Sequence, residues 1–348
     1  MKSFFLFTLI VAAGHFASSQ PSASDIDSLI SNHFNQKAGL SVLVAKGDDV
    51  YYKKAFGMAD LALQIPVLPR HKFRIGSITK QFTAVAIMLM VQRGKIELED
   101  PISEYLPQFR NGQNITIKQL LNHTSGIANY TELPKWDEAA RRRDFTPAAL
   151  TSYFEHEEVL FEPGTSWKYN DSGYVLLGHI VEVVTQKSYA EFLEEEVLRP
   201  MQLDIQYETQ SLIISNKLNG YRETEGRVLN AEFVSMTQAY AAGGLVANPQ
   251  EIWSWTRGIF QGNLIDVDLL AQAFSETIVK GDQFPYGFGW QIDYPGGQKA
   301  LYHHGWINGY FTTAWYLPES EVFVAVFSNC TCYNPIPVAK DLIALWQK

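Results

Sequence analysis

Arg74-Ile75-Gly76-Ser77-Ile78-Thr79-Lys80-Gln81-Phe82, running on through Val91, is the stretch from which the rest of the chain is read. Gly76 permits a tight entry and Ser77 opens a helix in which Ile78, Phe82, Val85 and Leu89 recur at helical spacing. From Ala84 to Val91 there is no polar residue, and a helix that is apolar all round is a buried one. Lys80 is the only charge between Arg74 and Arg93 and lies one turn after Ser77, on the same face. A buried ammonium is costly unless it is paired and hydrogen-bonded. Taken alone, Ser-x-x-Lys is a common four-residue pattern, and a lysine snorkelling from a first turn accounts for it.

Two further stretches change that reading. In Glu162-Pro163-Gly164-Thr165-Ser166-Trp167-Lys168-Tyr169-Asn170-Asp171-Ser172-Gly173-Tyr174 a turn-rich approach presents Tyr169 and Asp171 just before an apolar helix carrying Leu176, Leu177, Ile180 and Val181. In Tyr302-His303-His304-Gly305-Trp306-Ile307-Asn308-Gly309-Tyr310, neighbouring strand residues face opposite ways, so His303 and His304 do not share one site, and a shared metal is not expected. Gly305 and Gly309 allow close approach to the backbone.

In this order the three stretches resemble the motifs of the penicillin-recognising serine hydrolases of the class C β-lactamase type, which include DD-peptidases, D-amino-acid-releasing peptidases and esterases. Ser77 to Lys80 looks like the nucleophile motif Ser-x-x-Lys, Tyr169 to Asp171 like Tyr-x-Asn, and His303 to Gly305 like Lys/His-x-Gly. Leu120 to Gly126, Glu162 to Thr165, Ala242 to Leu245 and Tyr286 to Trp290 are similar in support. The resemblance implies an α+β fold of the β-lactamase/DD-peptidase type. In such a fold an antiparallel sheet is flanked by helices, a mostly helical lobe is inserted, and the active site lies between the lobes. It also implies an acyl-enzyme on Ser77, with Lys80 and Tyr169 as the other catalytic groups. The oxyanion hole would be formed by the backbone N–H groups of Ser77 and Trp306, and Asp171, His303, Gly305 and Trp306 would face substrate. No metal or organic cofactor is implied. The substrate is expected to be a small peptide, a β-lactam or an ester.

The chemistry asks for these residue types. A serine hydroxyl is a poor nucleophile until a neighbouring base takes its proton, and in Ser-Lys systems that base is the lysine or a group coupled to it. A tyrosine, with an ordinary pKa of about 10, needs a nearby ammonium to favour its phenolate, and the two should then titrate as a unit. Two departures from the motifs matter. Asp171 stands where Asn is usual, accepts but cannot donate when ionised, and would raise the Tyr169 pKa or pair with Lys80. His303 stands where dedicated class C β-lactamases resemble one another in Lys, which favours a peptidase-like member. A non-catalytic or slowly acylated penicillin-binding or sensing protein is the alternative that Asp171 motivates, and a carboxylesterase is the alternative among enzymes.

The remaining sequence sets bounds. A chain of 348 residues that is 46% hydrophobic has ample material for a sizeable core. A formal charge of −9 argues against nucleic acid as a partner, and Arg141-Arg142-Arg143 reads as a solvated patch. Met1-Lys2, the apolar Phe4 to Ala13 and Ala17-Ser18-Ser19 before Gln20 have the form of a secretory signal over 1–19, too short to span a bilayer, so an exported protein, periplasmic or secreted, is expected. Cys330 and Cys332 are compatible with either a bridge or free thiols. Asn114, Asn122, Asn129, Asn170 and Asn329 carry glycosylation sequons.

Along the chain, Ser24-Asp25 is expected to cap a first helix, followed by a hairpin of Leu40 to Ala45 and Val50 to Phe56. Residues 76–242 read as helices and loops, after which strands return at Gly287 to Ile292, Lys299 to His304, Phe311 to Tyr316 and Val322 to Phe327, with a closing helix from Ile336 to Trp346. The early hairpin is too small to bury its own face and should join the late strands. The resulting sheet lobe would comprise 20–75 and 243–348, with the helical lobe of 76–242 between them. Oligomeric state is not legible.

Overall fold

The computed structural model of the chain describes residues 20–34, 38–209 and 211–347. The expected signal segment, 1–19, lies outside the described residues. Its centre is one antiparallel sheet of strands β1 (Leu40–Lys46), β2 (Asp49–Phe56), β3 (Gln291–Asp293), β4 (Ala300–Ile307), β5 (Tyr310–Leu317) and β6 (Val322–Ser328), in the order β3-β4-β5-β6-β1-β2. Leu40 lies opposite Ser328 and Lys46 opposite Val322, so the early hairpin does add to the late strands.

Side-chain alternation explains the layers. Val42, Val44, Val324 and Val326 face helices α1 (Ala23–His33) and α5 (Ile336–Trp346), meeting Ile26, Ile30, Leu342 and Ile343. Leu43, Ala45, Phe323, Ala325 and Phe327 point the other way into the larger core, which contains α2 (Thr79–Gln92), α3 (Asp171–Thr185) and α4 (Pro249–Phe260). Because both faces are covered, β6 is buried along its whole length and reads as a continuous apolar run. On the edge, β2 is mostly exposed and carries Lys53 and Lys54, charges that discourage pairing with another chain.

The central helix is buried from Thr79 to Met90, as its sequence requires. Its entry differs from expectation, since Gly76–Ile78 form a 3-10 turn and the α-helix begins at Thr79. Thr83 resolves the polar problem of the buried face by donating its hydroxyl to the Ala241 carbonyl at 2.6 Å. Phe82 stacks on Trp255 with ring centroids 4.0 Å apart. Phe73–Arg74 and Gln206–Tyr207 both pair with Leu245–Ala247, tying the approach to Ser77 to the segment that follows Gly243.

Several local expectations are corrected. The first helix is capped by Ser22, whose hydroxyl accepts from the Asp25 N–H while Asp25 accepts from the Ser22 N–H. The strand placed at Gly287 to Ile292 is confined to Gln291–Asp293, because Gly289 has φ +85° and a Cβ at Gly287 would lie 1.9 Å from the Ala273 carbonyl oxygen. The stretch expected to be helix and loop also holds a hairpin, Tyr221–Thr224 with Arg227–Asn230, turning through Glu225 and Gly226 at positive φ. Cys330 and Cys332 are joined by a disulfide. Among the sequons, Asn114 is exposed whereas Asn129, Asn170 and Asn329 are buried in polar networks.

Candidate active site

Three separate parts of the chain converge beside Ser77. The first is the start of α2, where Lys80 is fully buried. Its Nζ donates to Asp171 Oδ1 at 2.6 Å, to the Ala242 carbonyl at 3.0 Å and to Ser77 Oγ at 3.2 Å. An ammonium has three protons to place, and three acceptors surround this one.

The second part is the start of α3. Asn170 caps the helix by accepting from the Gly173 N–H at 3.0 Å, and its amide donates to the Ile127 carbonyl at 2.7 Å. That fixes Asp171 in the first turn, where a carboxylate is favoured by the helix dipole. Tyr169, one residue before the cap, lies near enough to Ser77 for that hydroxyl to act on its phenol, and the Lys80 ammonium lies 4.9 Å from the centre of its ring. Burial, followed by the charge of Asp171, holds the phenol well above its ordinary range despite the nearby Ser77 hydroxyl. Lys80 therefore does not draw Tyr169 towards phenolate, contrary to what the sequence suggests for that pair alone. Burial lowers the Lys80 pKa, and Asp171 works against that fall.

The third part is β4. Ile307 and Tyr310 flank the two-residue turn Asn308-Gly309, with Gly309 at φ +86°, so they form a hydrogen-bonded pair and Gly305 with Thr312 the next. Trp306 falls between these pairs, and its N–H points away from β5 towards an edge that β3, which reaches only Tyr302, leaves open. This edge lies against the Ser77 turn. A Cβ on Gly76, which has φ +51°, would sit 3.0 Å from the Trp306 nitrogen, and one on Gly305 would sit 1.8 Å from the Ile75 carbonyl oxygen. Glycine at both positions lets the two backbones touch, and Thr312 Oγ1 donates to the Ile75 carbonyl at 3.1 Å to hold them. The backbone N–H groups of Ser77 and Trp306 are thus brought to one place.

His303 is buried and absent from the wall of the cleft. Its Nδ1 donates to the His304 carbonyl at 2.6 Å and its Nε2 accepts from the Tyr286 hydroxyl at 3.2 Å. Burial, then the nearby Lys80 charge, lowers its pKa to about 3, so it is a neutral ring behind Tyr169. The expectation that His303 faces substrate is corrected accordingly. His123, in the Leu120 to Gly126 segment, belongs to the same buried group, with ring centroids 4.5 Å from Tyr169 and 4.4 Å from Tyr286. Its Nδ1 accepts from the Asn170 N–H at 3.2 Å, and burial lowers its pKa well below the usual histidine value.

These two rings make acid stability a test of the geometry. An unfolded histidine binds a proton near pH 6.5, whereas His303 in the fold resists it down to about pH 3, so between those values the unfolded chain holds more protons. Stability is therefore expected to fall as pH drops below 6.5, by up to roughly 1.4 kcal/mol per pH unit for each of the two histidines. Urea unfolding at pH 7, 6 and 5, with His303→Gln beside the parent, should show a steeper decline in the parent. Parallel curves would place His303 in contact with solvent.

Ser77 and Asp171 open onto a cleft of about 390 Å³, lined also by Trp306, Ile307 and Asn308 and by Tyr130, Trp136, Arg141 and Gln238. Trp306 is 63% exposed there, while the neighbouring strand aromatics Tyr310 and Trp315 are core. Tyr130, Trp136, Arg141 and Gln238 were not legible as site residues, since they lie on loops and short helices with no recurrent spacing. The arginine run is exposed at all three positions, as expected, and Arg141 in addition lines the cleft. Among the described residues no group of three or more His, Cys, Asp or Glu is placed to hold a metal, and no helix is long and apolar enough to cross a membrane.

The family described as Beta-lactamase matches residues 26–344. A penicillin-binding protein of Bacillus subtilis is 28% identical over 78% of this chain and 64% of its own length, so the chain spans less than two thirds of that relative. Among solved structures, an octameric penicillin-binding protein homologue from Pyrococcus abyssi superposes with a TM-score of 0.80 at 27% identity, covering 93% of this chain and 76% of that one. A D-amino acid amidase from Ochrobactrum anthropi, complexed with D-phenylalanine, has a TM-score of 0.81 at 22% identity, covering 93% and 99%, and shares the fold.

Proposed function

We propose, on the premise that this chain belongs to the Beta-lactamase family, that it is an exported serine hydrolase acylated on Ser77 by the carbonyl of an amide or ester. D-amino-acid peptides and amides are the preferred substrate class, with β-lactams as acylating analogues. The observation that carries this reading is the Ser77 hydroxyl, hydrogen-bonded by Lys80, with Tyr169 close by, beside the open edge of β4.

The steps follow from the protonation states. Lys80 in its neutral amine form, which burial favours, takes the proton of Ser77 as its oxygen bonds to the substrate carbonyl carbon. The carbonyl oxygen gains the negative charge and is met by the N–H groups of Ser77 and Trp306, donors fixed before the reaction begins. Tyr169, held as neutral phenol, gives its proton to the departing amine or alcohol and recovers one from Lys80. Water then repeats the sequence on the acyl-enzyme, releasing the acid and restoring Ser77. His303 and Tyr286 keep the ring of Tyr169 in position from behind. Export is supported by the apolar run Phe4 to Ala13 and by the Cys330–Cys332 bond, which suits an oxidising compartment.

The test is intact-mass measurement after exposure to a fluorescent penicillin, with release of 4-nitroaniline from a D-amino-acid anilide followed in parallel. A one-to-one adduct on the Ser77 peptide and turnover of the D-anilide above its L counterpart are expected. Neither adduct nor turnover would leave a non-catalytic binding protein as the better account.

A further inference from the structure

From the geometry of the cleft wall we infer that Arg141 is the specificity-determining residue that selects substrates bearing a free carboxylate. Its setting is built. Asp137 caps the short helix Glu138–Arg142 by accepting from the Ala140 N–H at 2.7 Å, and Ala140 and Trp136 are buried beneath it. The Arg141 N–H donates to the Asp137 carbonyl at 3.2 Å, and its own carbonyl accepts from the Ser235 N–H at 2.9 Å. Both backbone groups of the residue are therefore fixed, and the exposed residue lines the cleft with Ser77 and Trp306.

The electrostatics of the cleft single out this residue. Arg142 is paired with Glu138 at 2.5 Å, and Arg143 is bonded to the Tyr153 hydroxyl. Arg141 makes no ion pair among the described residues and is the only Lys or Arg among the residues lining the cleft. Lys80 is buried against Asp171, and His303 is neutral, so neither presents a positive charge to a ligand. A planar guanidinium in this position offers two parallel N–H donors to one carboxylate, a geometry that an ammonium cannot reproduce.

This inference rests on the cleft being the substrate site, and its test is chosen to be independent of turnover. Ser77→Ala protein is titrated by calorimetry with N-acetyl-D-alanyl-D-alanine and its C-terminal amide, and with N-succinyl- and N-acetyl-D-alaninamide. The first pair places the carboxylate at the leaving end, the second at the acyl end. In at least one pair the carboxylate should bind roughly tenfold or more tightly than its neutral twin. Adding Arg141→Ala should erase that ratio while leaving the neutral ligand and the melting temperature unchanged, and Arg141→Lys should restore part of it. Equal binding of carboxylate and neutral twins in both pairs, or a ratio that survives Arg141→Ala, overturns the assignment. Loss of Ser77-dependent turnover would overturn the hydrolase reading while leaving this measurement standing.

Discussion

Replacing Ser77 with alanine is expected to abolish the covalent adduct and to lower kcat by roughly 10⁴- to 10⁶-fold, the range seen when a hydrolase nucleophile is removed. The side chain is partly exposed, and the 3-10 turn that carries it is held by backbone contacts with Leu245 and the β4 edge, none of which uses the hydroxyl. The variant should therefore fold and melt like the parent, so that lost activity reports chemistry. What remains would come from the oxyanion donors and from binding, which act without the nucleophile. A variant that kept the adduct, shown by peptide mapping, would move the nucleophile elsewhere and end the proposed mechanism.

Asp171→Asn is expected to move the acidic limb of the kcat/KM profile to lower pH by roughly one to two units, the effect of withdrawing an adjacent opposite charge. Asp171 opposes the lowering of the Lys80 pKa caused by burial, and it also raises Tyr169. Asparagine preserves the shape and can still accept from Lys80, but it removes the charge. Lys80 then loses its proton more readily, so a larger fraction is competent as a base at pH 5 to 6. The plateau rate should stay within roughly tenfold, because this substitution recreates the Tyr-x-Asn pattern that the sequence resembles. An unmoved limb would mean that another group governs the acid side of the profile.

The legible parts of the fold were those in which local chemistry and burial agree. The helix Thr79–Gln92 could be read because a run from Ala84 to Val91 without a polar atom leaves no choice but the interior. Ser77, Lys80 and Tyr169 were legible as a set only through the order of three motifs, since each motif alone is short. The cleft wall was not legible. Tyr130, Trp136, Arg141 and Gln238 meet through tertiary packing of irregular segments, and nothing in their spacing records that. His303 shows the limit from the other side. Its place on β4 was readable, yet the direction of its ring depends on Tyr286 and on the His304 carbonyl, partners that strand alternation does not name.

The pairing of β1 with β6 has a consequence for biogenesis. The two strands lie side by side although almost the whole sequence separates them, so the first hairpin emerges from the ribosome long before its neighbour exists. Until Val322 to Ser328 arrives, the apolar edge of Leu40 to Ala45 has no template to complete, and the entropy of closing so large a loop falls on a late event. Nascent chains, and any product cut short before β6, are on this account clients for chaperones and targets for proteases.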